Sequence, residues 1–200
     1  MTDFTGKTIG QFQIVGLTQD TDSALVYKGF QPNMNRYVTV KVLKSQDPAA
    51  VQAFTQQNEL LAQIQHPNIL PIYDSGQAEG LAYRVMRFAE GGVLQDQLMQ
   101  YYDPHKAAGL LFGVVSGLEK IHSQGLVHGN LEPGNIYLDK TGQPLLTDFG
   151  ISKALGVPIT PYMSFEQVQG GLVDKRSDVY ALGVLLYELL SGGTPPAGTA

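Results

Sequence analysis

Hydrophobic and polar residues alternate along five short stretches in the first half of the chain, a pattern typical of β-strands. The predicted strands are Gln11–Leu17, Ala24–Phe30, Tyr37–Leu43, Ile69–Gln77 and Leu81–Phe88. One helix interrupts them, because Asp47 and Pro48 form a good helix start and the apolar residues that follow recur at three-and-four spacing. His66 and Pro67 end this helix. The first half is therefore predicted to be a sheet with one helix.

The pattern turns helical beyond about Ala89. The stretch Lys106–His122 carries one apolar stripe, whereas Asp178–Leu190 is apolar nearly all round and is predicted to be buried on every side. The first of these helices contains three glycines that would permit close backbone approach: Gly109, Gly113 and Gly117. The same spacing occurs in membrane-helix dimers, but the charged residues within this helix argue against that interpretation.

The composition limits the class of protein. The 200 residues suffice for one domain, or for one domain of two lobes. Cysteine is absent, which excludes disulfides and thiolate metal sites and suits a cytoplasmic protein. The net charge is −5 and the basic residues are scattered, so neither nucleic acid nor an anionic membrane is an expected partner. The chain start lacks the apolar core of a secretion signal, and the longest apolar run, Ala181–Leu190, is too short to span a bilayer.

Five short motifs follow one another along the chain: V-T-V-K at 38–41, H-G-N-L-E-P-G-N at 128–135, D-F-G at 148–150, S-F-E-Q at 164–167 and D-V-Y-A-L-G-V at 178–184. They resemble the V-A-I-K, H-R-D-L-K-P-x-N, D-F-G, A-P-E and D-x-Y-S-L-G-V motifs of the protein kinases. The segment P-Y-M-S-F-E-Q is similar to the corresponding segment of bacterial Ser/Thr kinases.

The resemblance implies a fold of the α+β class with two lobes. A β-rich N-lobe with one helix would occupy residues 1–89, and a helical C-lobe, truncated after its central buried helix, would occupy residues 90–200. Together they would form a single kinase-like domain of about residues 10–192. The Gly- and Pro-rich end, residues 192–200, is expected to be a flexible tail.

The resemblance also places the residues that would bind ATP and a metal ion. The nucleotide-binding positions would be Val26, Thr39, Lys41, Met86, Arg87, Ala89 and Tyr137. Asn135 and Asp148 match the residues that hold Mg²⁺ in the family. Two features argue against nucleotide binding. Thr39 and Tyr137 add bulk where the family has smaller side chains, and the turn between the first two predicted strands lacks the glycines that let a backbone approach phosphates.

Three positions that perform the chemistry in the family are altered. Asn130 replaces the aspartate that accepts the substrate proton, which is a loss of about 10²–10⁴-fold in rate. Glu132 replaces a lysine next to the transferring phosphoryl group, and one unit charge at about 4 Å is worth roughly 4 kcal/mol at an effective dielectric near 20. Gln57 stands where the family has the glutamate that pairs with the lysine at position 41. Glu59 is not a substitute, because two residues on a helix differ by about 200°.

Other matched positions are structural. His128, Phe149, Leu61 and Ile72 would form the family's internal hydrophobic spine. Asp178 would tie the last long helix to the backbone near His128, whereas Glu166 normally pairs with an arginine further along than this sequence runs. Thr160 lies in the segment that many kinases phosphorylate, but Gly129 replaces the arginine that would receive the phosphate.

These observations favour a catalytically impaired kinase-like domain, a pseudokinase, that acts as an interaction or regulatory module. Two alternatives stay open: an active ATP-dependent Ser/Thr kinase with a non-standard site, in which Glu132 is the base, and a nucleotide sensor without phosphotransfer. ATP and Mg²⁺ are the candidate cofactors, and the sequence commits to neither. A helix as apolar as Val179–Leu190 also predicts a protein partner or self-association through the C-lobe, around Tyr180, Val184 and Tyr187 and the helix Lys106–His122.

Overall fold

The computed structural model of the chain describes residues 3–78, 80–149 and 159–193. These residues divide into two compact units. The first unit contains the described residues within Met1–Ile64 and Pro71–Phe88, and the second contains those within Gln65–Leu70, Ala89–Ile151 and Pro158–Ala200. Gly150 of the D-F-G motif and residues 194–200 of the expected tail lie outside the described residues.

The first unit is a six-stranded antiparallel sheet with the order β1-β2-β3-β4-β6-β5. Its strands are β1 (Thr8–Ile9), β2 (Phe12–Asp20), β3 (Ala24–Gln31), β4 (Arg36–Leu43), β5 (Ile72–Ala78) and β6 (Leu81–Arg87). A short 3₁₀ turn, Pro32–Met34, joins β3 to β4. All five predicted strands are present, and the short β1 was not predicted.

The two faces of this sheet bury different side chains. On β4, Val38, Val40 and Val42 pack into a core with residues such as Phe12 and Tyr27. The alternate residues of β4 and β6 point to the other face, as the period of two requires. There Leu43 and Ala82 pack against Phe54 of α1 (Pro48–Ala62).

Helix α1 begins where the sequence predicts. The Asp47 side chain accepts hydrogen bonds from the backbone N–H groups of Ala49 and Ala50, and Pro48 occupies the first helical position. Its buried residues are Ala50, Phe54, Gln57, Asn58 and Leu61. Two adjacent amide side chains on the buried face are unusual for a helix that packs on a sheet, because buried polar groups require hydrogen-bond partners.

The predicted strand Ile69–Gln77 begins three residues too early. Ile69 instead forms a parallel bridge with Leu146 of the second unit, and Leu70 N–H donates to the Leu146 carbonyl at 2.8 Å. Pro71 follows and cannot donate to a strand ladder, so β5 begins only at Ile72.

The second unit is mainly helical. A 3₁₀ helix, Leu94–Tyr101, precedes α2 (Pro104–Ser123), which Asp103 caps in the same way as Asp47 caps α1. A three-stranded sheet contains β7 (Gly92–Val93), β8 (Ile136–Leu138) and β9 (Pro144–Leu146), and a 3₁₀ turn, Pro133–Asn135, precedes β8. The last helices are α3 (Phe165–Gln169) and α4 (Lys175–Ser191).

Helix α4 is buried on one side and exposed on the other, so the prediction of burial on every side is wrong. Ala181, Leu185 and Leu189 are buried. The exposed apolar side chains of α4 are Val179, Tyr180, Leu186, Tyr187 and Leu190. The apolar composition of α4 does not reveal which side of the helix packs against the other described residues and which side does not. No helix of residues 3–78, 80–149 and 159–193 has both the length and the apolar character that a membrane span requires.

Two of the three glycines of α2 permit close approach, as expected, and one does not. A Cβ on Gly113 would lie 2.5 Å from Cγ of Pro144, and one on Gly117 would lie 2.8 Å from Cδ1 of Leu146. A Cβ on Gly109 would meet no atom within 4 Å. The close contact therefore joins α2 to β9.

We predict that Gly113→Ala lowers the free energy of unfolding by about 1–3 kcal/mol, because the added methyl group must displace Pro144. Gly109→Ala is the matched control on the same helix. It should be neutral, or stabilising by up to about 1 kcal/mol, because alanine is the better helix former. Urea unfolding of both variants measures the difference, and equal effects would contradict the packing described for α2.

Candidate functional site

The loop that carries the H-G-N-L-E-P-G-N motif is anchored to α4 by one carboxylate. Asp178 is only 1% exposed. It accepts hydrogen bonds from the backbone N–H of His128 at 2.8 Å and of Gly129 at 2.7 Å. The imidazole of His122, at the end of α2, lies 2.7 Å from the same carboxylate. Asp178 thus joins α2, α4 and the loop.

Gly129 explains how the loop turns at this anchor. Its φ is +71°, in the left-handed region that side chains avoid, and glycine adopts it at little cost. Its carbonyl accepts a hydrogen bond at 2.8 Å from Nε2 of Gln167 in α3. Sequence reasoning identified the loss of an arginine at position 129 but missed this backbone role of glycine and the contact with Gln167.

His128 is fully buried and lies beside Phe149, with ring centroids 6.0 Å apart. Its Nδ1 accepts the backbone N–H of Asn130 at 3.3 Å, which places the proton of the neutral ring on Nε2. Burial lowers the pKa of His128 to about 4, and the nearby Asp178 carboxylate opposes this shift only in part. His128 is therefore neutral in the folded protein at neutral pH.

The other two predicted spine residues, Leu61 and Ile72, belong to the first unit, where Leu61 is buried and Ile72 half-buried.

We predict that acid destabilises the protein partly through His128. In the unfolded chain its pKa is near 6.5, so below that pH the unfolded state binds a proton that the folded state refuses until about pH 4. Each pH unit within this window lowers the free energy of unfolding by up to about 1.4 kcal/mol. The total loss at pH 5 is therefore about 2 kcal/mol. His128→Leu should therefore lose less stability than the wild type between about pH 6.5 and 4. Urea unfolding at several pH values measures it, and parallel profiles would contradict the prediction.

Asn135 and Asp148 lie on neighbouring loop segments, because the backbone N–H of Thr147 donates to the Asn135 carbonyl at 3.1 Å. The amide nitrogen Nδ2 of Asn135 donates to the Asn130 carbonyl at 2.9 Å and to Oε1 of Glu132 at 3.4 Å. Two acceptors on this side fix the amide orientation and turn Oδ1 away from them.

Asp148 is buried and has a φ of +62°. A left-handed conformation at a non-glycine residue costs free energy, and such residues concentrate at functional sites. A carboxylate and an amide oxygen are ligands that Mg²⁺ accepts. The donor chemistry of Asn135 and Asp148 therefore fits the metal that the resemblance implies. Within the described part of the chain, no group of three or more His, Cys, Asp or Glu side chains is placed to hold a metal ion.

Glu132 lies in the same loop and is held by two neighbours. It accepts the hydrogen bond from Asn135 and one from the Thr160 side chain. Burial raises the pKa of Glu132, and the hydrogen bond from Thr160 opposes that shift. Asn130 is half-buried and offers a neutral amide at the position where the family has its base. The loop therefore presents a carboxylate, and no basic side chain, at position 132.

The segment from Ile159 to α4 packs on this loop through polar contacts. A gap with essentially no space for a water molecule is lined by Asn130, Leu131, Thr160, Tyr162, Met163, Ser177 and their neighbours. The Tyr162 hydroxyl donates to Oε2 of the buried Glu188, and burial raises the pKa of Tyr162. Glu166 accepts a hydrogen bond from the Ser177 hydroxyl at 2.6 Å, which lowers the pKa of Glu166. Ser177 thus contacts the carboxylate that, by the resemblance, normally pairs with an arginine further along than this sequence runs.

In the first unit, Lys41 and Arg84 are directly opposite each other on β4 and β6. Burial lowers the pKa of Lys41 well below its usual range, and the charge of Arg84 acts in the same direction. Sequence reasoning missed Arg84, although a single arginine within the apolar run Leu81–Met86 is a visible signal. Its Nη1 donates to Oε1 of Gln57 at 3.3 Å and to Oδ1 of Asn58 at 3.4 Å.

The remaining predicted nucleotide-binding residues are divided between the units. Val26, Thr39 and Met86 are buried in the first unit, where Thr39 pairs with Met86 in the strand register, and Arg87 is half-buried. Ala89 and Tyr137 are buried in the second unit. The glycine-free turn between β2 and β3 is closed by Thr21, whose hydroxyl donates to the Ala24 carbonyl at 3.0 Å. It is an ordinary exposed hairpin turn.

Comparisons with known proteins bear on the family and the fold of the chain. The protein kinase domain family matches residues 21–199. The Ser/Thr-protein kinase PrkC of Bacillus subtilis is 34% identical over 206 residues, which is 95% of this chain and 32% of PrkC. PknL of Mycobacterium tuberculosis is 35% identical over 191 residues, 88% of this chain and 48% of PknL. The chain thus spans about a third to a half of these relatives. A solved structure of the apo form of PpkA-294 has a TM-score of 0.83 at 24% identity, over 96% of this chain and 80% of that one.

Proposed function

We propose that this chain, which belongs to the protein kinase family and resembles its bacterial Ser/Thr members, is catalytically impaired and acts as an interaction or regulatory module. The observation that carries the proposal is the pair Asn130 and Glu132 in one loop. Asn130 has no basic atom to accept a substrate proton, and Glu132 adds a carboxylate where phosphoryl transfer requires positive charge.

The contacts of Glu132 strengthen this argument. Thr160 and Asn135 hold the carboxylate in place, so it cannot simply turn into solvent without losing two hydrogen bonds. In the transition state of phosphoryl transfer, negative charge spreads over the oxygens of the transferring group. A fixed carboxylate in the same loop raises the energy of that state, because like charges repel strongly where water is partly excluded.

A second candidate function is nucleotide sensing without transfer. It is favoured by Asn135, whose amide is oriented by Asn130 and Glu132 with Oδ1 turned away from both. Asn135 and Asp148 would hold Mg²⁺, which supplies charge neutralisation to phosphate oxygens when bound. Asn130 and Glu132 contribute to such a metal site by fixing the orientation of the Asn135 amide. Asp178 contributes by fixing the loop that carries Asn130, Glu132 and Asn135.

Phosphotransfer and binding assays on the purified chain test these proposals together. We expect no incorporation of labelled phosphate into the chain itself or into a generic basic protein with Mg·ATP. Incorporation that Asp148→Ala abolishes would instead show an active kinase with a non-standard site. A rise in melting temperature with Mg·ATP, lost in Lys41→Ala, would favour the sensor, since ligand binding stabilises by RT ln(1 + [L]/Kd).

We also propose that protein covers the exposed side of α4. Between Val179 and Leu190 its exposed side chains include no charged residue, and Val179 is 62% exposed. Such a neutral apolar surface can pair with the same surface of a second copy of the chain without charge repulsion. We therefore expect a second copy to cover it, which gives a dimer. Light scattering after size exclusion tests this. A monomer at all concentrations that also fails to bind a hydrophobic dye would contradict it.

A further inference from the structure

Arg84 is a buried cation in the middle of the first unit. Its side chain is 0% exposed, whereas its neighbours in the strand, Tyr83 and Val85, point into the core on the other face of the sheet. Arg84 points towards α1, because its register partner Lys41 and the apolar residues Leu43 and Ala82 lie on the face that α1 covers. A charge in this place needs hydrogen-bond acceptors to offset the loss of water.

Helix α1 supplies those acceptors from two adjacent residues. Gln57 and Asn58 are 3% and 2% exposed, and their side-chain oxygens lie 3.3 Å and 3.4 Å from Nη1 of Arg84. The guanidinium carbon also lies 5.4 Å from the centre of the Phe54 ring. Three buried residues of α1 therefore converge on one arginine. Hydrogen bonds with a charged donor are stronger than those between neutral groups.

The same arginine changes the surroundings of Lys41. The family that the sequence resembles has a glutamate at the position of residue 57, and that glutamate forms an ion pair with the lysine at the position of residue 41. Here the residue is Gln57, and its oxygen accepts a hydrogen bond from Arg84. The position of α1 therefore has a polar anchor on β6 in addition to its apolar contacts with β4 and β6.

We infer that Arg84 positions α1 on the sheet, through Gln57 and Asn58, and that it contributes more to the position of α1 than Lys41 does, because position 57 offers Lys41 an amide and not a carboxylate. An ion pair between positions 41 and 57 does not hold α1, because Gln57 carries no charge. The inference goes beyond the proposed function, since it holds whether or not the chain binds nucleotide or transfers phosphate.

Hydrogen exchange of the α1 amides in full-length variants tests the inference. Arg84→Met should increase exchange across Pro48–Ala62 by about tenfold or more, because two buried side-chain oxygens lose the hydrogen bonds that Arg84 donates. Lys41→Met should change it by less than about twofold. Arg36→Met is the matched control for loss of an arginine from the same sheet: Arg36 lies outside the core, stacked on Tyr73, and its removal should leave α1 unchanged.

A gain-of-stability variant keeps the test decisive if Arg84→Met fails to fold. Gln57→Glu would give Arg84 a carboxylate partner, so α1 exchange should slow by about threefold or more. The slowing should persist when Lys41→Met is added. The charge state of Lys41 supplies an independent readout: the pKa of its ammonium group, followed by nitrogen NMR, should rise in Arg84→Met.

Three results would overturn the inference. The first is an increase in α1 exchange in Lys41→Met as large as that in Arg84→Met. The second is unchanged α1 exchange in Arg84→Met. The third is a slowing by Gln57→Glu that disappears when Lys41→Met is added, which would mean that residue 57 acts through the lysine. None of these outcomes bears on phosphotransfer, so failure of the inference and failure of the proposed function are distinguishable.

Discussion

Asp178→Ala should lower the free energy of unfolding by about 3–5 kcal/mol. The carboxylate is buried and accepts hydrogen bonds from the backbone N–H groups of His128 and Gly129, and the His122 ring lies within 2.7 Å. Removing it leaves the two N–H groups without their acceptor, and each such loss costs about 1–3 kcal/mol when the group is buried. Urea unfolding, followed by circular dichroism, measures the change.

Asp174→Ala is the matched control for Asp178→Ala. Asp174 caps the start of the same helix and accepts the N–H of Arg176 at 2.8 Å, but it lies near the surface. Its loss should cost about 1 kcal/mol, the usual value for a helix cap. If Asp178→Ala cost no more than Asp174→Ala, Asp178 would not be the anchor of the loop.

The kinase-like fold predicted from five motifs is confirmed by the structural match. Local pattern sufficed for α1, because Asp47 and Pro48 define its start and the apolar spacing defines its buried face. The start of α2 was placed two residues late. Asp103 and Pro104 repeat the same capping pattern, and the apolar stripe alone does not reveal it.

Tertiary contacts account for what local pattern could not supply. Ile69 and Leu70 are as apolar as a strand requires, yet they pair with Leu146, which lies far away in sequence. The one-sided burial of α4 likewise depends on which elements pack against it. The arginine at position 84 is visible in the sequence, but its partners are not, because Gln57 and Asn58 contact it from α1, at least 26 residues earlier in the chain.

The candidate site was predictable where a residue type carries the chemistry. The substitutions at positions 130 and 132 follow directly from the sequence, and the structure adds that Thr160 and Asn135 hold the Glu132 carboxylate. The contacts Tyr162–Glu188 and Gln167–Gly129 could not be predicted, because they join residues 26 and 38 positions apart without a distinctive motif.

Restoring the family residues in Asn130→Asp/Glu132→Lys should not restore phosphotransfer to the roughly 1–100 s⁻¹ of working kinases. The double variant regains a base, worth about 10²–10⁴-fold, and removes the carboxylate that repels the transferring group. It leaves three features unchanged. Gln57 still accepts from Arg84, Thr39 is still buried in β4, and the β2–β3 turn still has no glycine to let a backbone approach phosphates.

Labelled phosphate transfer at saturating Mg·ATP measures this expectation, with the two single variants assayed beside the double. Asn130→Asp alone should be no better than the wild type, because Glu132 remains beside the restored carboxylate. Rates near 1 s⁻¹ in the double variant would show that positions 130 and 132 alone limit the chemistry. In that case the altered first unit, with Lys41 beside Arg84 instead of a glutamate, would be compatible with catalysis, and the impairment would be confined to one loop of the second unit.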